Sequence, residues 1–94
     1  MSGMYTITIS VPGADPETSL RDDVESTVQV LRDGLDEWVE PGRKVRWEIH
    51  SPSGRETAGQ ITVYDPAYTD RDVDRHLQTV HQILTEEATD AART

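Results

Sequence analysis

The sequence predicts an α+β domain in which a three-stranded sheet carries two helices on one face. Three observations predict it. Residues 4–11, 44–50 and 58–65 alternate polar with apolar, the mark of strands with one buried face. Two other stretches repeat apolar residues at steps of three and four, the mark of helices packed on one side. Clusters of Pro, Gly, Asp and Ser punctuate the boundaries.

In "MYTITISV", Tyr5, Ile7, Ile9 and Val11 fall on one side, and Thr6, Thr8 and Ser10 on the other. "PGADPE" ends this strand and offers Asp15-Pro16 as a helix start. Leu20, Val24, Thr27, Leu31, Leu35 and Trp38 then trace a helical stripe that "EPG" at 40–42 stops. A helix over 16–39 would run about 36 Å at ~1.5 Å per residue, longer than a short strand needs. Either it starts later, with Ser19 as cap, or it overhangs the sheet. Gly34 sits inside the stripe without breaking its phase, which predicts a close approach of another element.

"KVRWEIH" places Val45, Trp47 and Ile49 inward, with Lys44, Arg46, Glu48 and His50 outward. "SPSGRE" is a hairpin loop, and "AGQITVYD" returns with Ile61 and Val63 inward and Gln60, Thr62 and Tyr64 outward. After "DPAYTD", Val73, Leu77, Val80 and Leu84 mark a second helix. The single domain covers residues 1–86, and residues 87–94 are expected to form a frayed polar tail.

The order is βαββα. The simplest connection is a split βαβ unit with strand order 1-3-2, a ferredoxin-like plan lacking its last strand. That plan leaves the first strand as an open edge, with no lysine or proline before Pro12 to block a partner strand. The element order resembles that of the small dimerising subunits of archaeal KEOPS tRNA-modification complexes. The resemblance covers order alone and carries over no functional residue.

Composition excludes several classes. Cysteine is absent, so disulfides, thiolate metal sites and cysteine nucleophiles are all excluded. The net charge is −9, and Lys44 is the only lysine among nine basic residues. Such a chain suits solubility in strong salt through hydrated carboxylates, as in a salt-loving source. No stretch reaches the roughly 20 apolar residues of a membrane span. The start has no basic n-region, so the expected compartment is the cytoplasm.

The segment that most suggests chemistry is "TDRDVDRHLQTVH", 69–81. At about 100° per residue, His76 and His81 lie roughly 140° apart, on opposite flanks of the apolar stripe. Their i, i+5 spacing is not the i, i+4 spacing of a helical zinc pair. The aspartates read as helix-start residues instead. Thr69 or Asp70 is the cap, Asp72 complements the helix dipole, and Asp72–His76 is a local pair. No metal, cofactor or catalytic residue is expected. An enzymatic reading would need His50 to meet His76 or His81 across the fold. Carboxylate pairs such as Asp22–Asp23 belong to solvated helix faces.

Residues 43–56 are locally basic, with Arg43, Lys44, Arg46 and Arg55 against Glu48 and Glu56. This hairpin is the alternative reading, an anion site for phosphate or nucleic acid. Only Tyr64 offers a ring for base stacking, and the acidity elsewhere repels a polyanion. The leading expectation is therefore a small, acidic, non-enzymatic accessory or adaptor protein acting through protein contacts, as a homodimer or a subunit. Its expected interaction residues are Tyr5, Ile7 and Ile9 on the first-strand edge, and Arg46, His50, Thr62 and Tyr64 on the polar sheet face.

Overall fold

The computed structural model describes the backbone of residues 3–93, and the side chains of these except 68 and 91–93. Its elements are β1 (Tyr5–Ser10), β2 (Glu17–Arg21), α1 (Val24–Trp38), β3 (Lys44–His50), β4 (Glu56–Thr62), a 3-10 turn over Pro66–Tyr68, and α2 (Thr69–Arg93). The four strands form one antiparallel sheet in the order β2-β1-β3-β4.

The α+β class with two helices on one face is the architecture observed, but the strand order is not 1-3-2. Glu17–Arg21, expected to open the first helix, is a strand. The turn after β1 reverses the chain at Gly13, whose φ of 85° favours glycine, and Ala14 N–H donates to the Val11 carbonyl. Thr8 and Thr18 then face each other, hydroxyl to hydroxyl at 3.2 Å. α1 begins only after Asp23, whose carboxylate accepts from Ser26 N–H at 2.6 Å and holds the acid below its usual pKa. The shortened helix has 15 residues. Its length of about 22 Å matches a seven-residue strand of about 23 Å.

Inserting β2 changes which strands pair with β1, while the expected β3–β4 hairpin is retained. Because β2 reverses the chain before α1, β3 returns antiparallel to β1 and pairs with it directly. The split βαβ plan survives with other members: β2 and β3 run parallel to each other and flank β1. β1 is thus an interior strand, and the expected open edge over Tyr5–Val11 is closed on both sides. The sheet edges are β2 and β4.

The inward alternation holds as expected. Tyr5, Ile7, Ile9, Val11, Val45, Trp47, Ile49, Ile61 and Val63 meet Leu31 and Leu35 of α1, and Val73, Leu77, Val80 and Leu84 of α2, in one core. Leu20, assigned from the sequence to the helical stripe, is instead 52% exposed on β2. Two glycines admit neighbouring side chains. A Cβ on Gly34 would collide with Ile9 of β1, and one on Gly59 would lie 2.6 Å from the Trp47 ring. The indole therefore lies across β4 where that strand has no side chain.

α2 starts differently from the expectation. Its lead-in is capped by Asp65, which accepts from Ala67 N–H at 2.9 Å, rather than by Thr69 or Asp70. It also ends differently, because the helix continues through the expected tail to Arg93. Glu87 is buried there, with Ser53 of the β3–β4 turn 3.5 Å away. Thr94 lies outside the described residues.

Candidate functional site: the open face of the sheet

Alternation that buries one side of each strand sends the other side to the opposite face. No described element covers that face. The registers place its residues in rows. Leu20, Thr6, His50 and Glu56 form one row, and Thr18, Thr8, Glu48 and Ala58 the next. Ser10, Arg46 and Gln60 follow, and Lys44 with Thr62 closes the series. Thr6, Thr8, Thr62 and Ser10 are half-buried between longer neighbours, while Thr18 and the charged residues are exposed.

Charge is graded along this face. Lys44 and Arg46 occupy one end, and Glu48 and Glu56 the other. Lys44 and Arg46 have no ion-pair partner among the described residues. With Ser10, Val11 and Pro12 they line an open concavity of about 450 Å³. At the other end, Glu48, His50 and Glu56 each bring one ligand-type atom within 4.8 Å of the others.

The sequence-predicted residues separate accordingly. Arg46, His50 and Thr62 share the open face, and Tyr64, 77% exposed, follows the end of β4. Tyr5, Ile7 and Ile9 lie in the core, facing the helices. Burial raises the Tyr5 pKa above its usual value, with the Glu87 and Asp23 charges adding to the effect. Of the proposed anion set, Lys44 and Arg46 adjoin. Arg43 is held at the end of α1, donating to the Trp38 carbonyl at 3.3 Å and pairing with Glu40 at 2.9 Å. Arg55 sits in the turn at the far end of the β3–β4 hairpin.

The three histidines do not converge among the described residues. His50 is on the open face, and the other two are in the helical layer. His76 does not pair with Asp72. Its Nε2 accepts from the Trp47 indole N–H at 2.8 Å, with the rings edge to face. Burial holds its pKa below the usual value. His81 reaches Glu25 of α1 at 2.7 Å, and Arg32 reaches Asp74 at 2.5 Å, so two polar bridges join the helices.

Sequence reasoning missed Glu48 and Glu56 as partners of His50. Glu48-x-His50 is a same-face pair legible in any strand, but Glu56 joins only through the hairpin register, which sets it opposite His50. The fold and face together define a two-layer α+β domain that presents a bare, charge-graded sheet. Compared with known proteins, this chain matches no family model, no curated protein and no solved structure. No helix among the described residues is long and apolar enough to cross a membrane.

Proposed function

We propose that this domain is a non-enzymatic accessory protein that acts through protein contacts, pairing its open sheet face with that of a second copy. The carrying observation is the charge gradient on an uncovered face. A twofold axis in the interface, perpendicular to the strands, sets β3 antiparallel over the partner's β3. Lys44 and Arg46 of one copy then meet the partner's Glu48 and the partner's Glu56, and the reverse contacts follow by symmetry. The role of the first-strand edge passes to the face, since β1 is interior.

Size sets the strength. Four strands spaced ~4.8 Å and ~20 Å long present roughly 400 Å² in projection, about half of what each partner contributes to a standard interface. The pairing is therefore weak and reversible, set by protein concentration.

A second reading has its own observation. The concavity at Ser10 places two unpaired cations side by side, as a phosphate or other oxyanion site requires. One pair of variants separates the readings. Arg46→Glu abolishes both dimer and anion binding. Arg46→Glu with Glu48→Arg exchanges the two charges that meet across the axis and restores the dimer, but does not restore an anion site beside Lys44. Light scattering on an eluting size-exclusion peak measures the dimer, and titration with inorganic phosphate measures the anion site. A strict monomer at high micromolar concentration in the unmodified protein would remove the pairing proposal.

A further inference from the structure

At the acidic end of the open face, the two glutamates that pairing would set against the partner's cations also flank a histidine of their own chain. Glu48 and His50 are two residues apart on β3 and share a face, and Glu56 stands directly opposite His50 on β4. His50 Nε2 lies 3.8 Å from Glu48 Oε2, and one atom from each of the three side chains falls within 4.8 Å of the others. No lysine or arginine pairs with either carboxylate among the described residues, although Arg55 is next in sequence to Glu56. Two like charges thus converge on an imidazole without a neutralising side chain.

We propose that Glu48, His50 and Glu56 form a divalent metal site of the zinc class, with one imidazole nitrogen, two carboxylate oxygens and water completing the shell. The charge fits, since two carboxylates balance a divalent ion. The spacing fits as well. Bonds of about 2.1 Å in a tetrahedral shell put ligand atoms roughly 3.4 Å apart, within reach of a small rotation of exposed glutamates. The nitrogen ligand selects the ion. Imidazole suits zinc, nickel and copper, whereas calcium and magnesium ask for six or more oxygens. The scaffold is a hydrogen-bonded strand pair whose directly opposed residues are ~5 Å apart at Cβ, so two anchors are fixed before the metal arrives. The site is complete within one copy and does not depend on the pairing proposed above.

The test is calorimetric titration of the intact protein with zinc chloride, with cobalt(II) absorption as a report of nitrogen ligation. The expected result is saturable binding of one ion per chain at micromolar zinc. His50→Ala weakens it about tenfold or more, and Glu56→Gln weakens it in the same direction. His81→Ala, which removes the imidazole paired with Glu25 in the helical layer, leaves it unchanged. Each variant is compared by circular dichroism to confirm that it is folded. No saturation below millimolar zinc, unchanged affinity in His50→Ala, or equal loss in His81→Ala would each overturn the site. Because Arg46→Glu disrupts pairing while sparing all three ligands, zinc binding that persists in that variant shows the site stands even if the dimer does not.

Discussion

The two faces of this sheet are made from the same strands and obey opposite rules. On the covered face, Ile7, Val45 and Ile49 are at most 1% exposed and pack into one apolar core. On the open face, Thr8, Arg46 and His50 alternate with those buried residues and meet only other residues of that face and solvent. Side-chain alternation therefore divides the chain's work by face. Stability resides between sheet and helices, which leaves the open face able to hold a charge gradient that folding does not require.

The comparison breaks first at the covered face. Leu35→Ala and Ile49→Ala each remove a fully buried side chain. Each should cost about 2–5 kcal/mol in urea unfolding, enough to threaten a domain this small. A cost well under 1 kcal/mol would mean that α1 does not pack as described.

Adjacent residues sharpen the same contrast. Gly59→Val and Ala58→Val both raise strand propensity on β4, yet they point to opposite faces. At residue 59 the new Cβ meets the Trp47 ring at 2.6 Å. Overpacking should outweigh propensity there and destabilise by about 1–3 kcal/mol. At Ala58 the side chain enters open space, and the change should be neutral or mildly stabilising. Equal effects at both positions would erase the difference between the faces.

How much of this was legible depended on whether a residue's pattern was local. Ile7, Trp47 and Leu77 announce their burial through periodicity, and the core is composed as their spacing implies. β2 does not announce itself. "ETSLR" has one apolar residue, Leu20, and it points to the open face, so no alternation marks the strand. Asp15-Pro16 offers a false helix start, and the spacing of Leu20 from Val24 continues the stripe of α1 backward into β2. Missing that strand inverted the pairing and made an interior strand look like an edge. The open face was legible as a set of polar residues. Its gradient and the Glu56–His50 apposition required register, which no single segment encodes.

A third effect is smaller and acts through pH. The Trp47 N–H donates to His76 Nε2, so that nitrogen must be unprotonated, and burial lowers the ring's pKa from the ordinary 6.5. As pH falls through 6.5, the unfolded chain takes up the proton before the folded one. The contribution to stability is complete above that pH, is lost on the way down to the folded pKa, and changes no further below it. His76→Gln should remove this step from a stability–pH profile, while Trp47 emission reports the lost hydrogen bond. A step unchanged in His76→Gln would assign it to other groups.

The smallest expected effect is the most discriminating. Arg46→Ala and His50→Ala change exposed groups on the open face, and each should alter unfolding free energy by no more than about 0.5 kcal/mol. The first should still weaken self-association, and the second should still weaken zinc binding. If instead either one destabilises the monomer by as much as a core cavity does, the open face belongs to the folding unit. The gradient would then be part of what holds the sheet together, and its charges would need no partner. Unchanged stability with changed binding is the result that separates recognition from folding. The denaturation curve of the isolated monomer must be measured beside each titration for that reason.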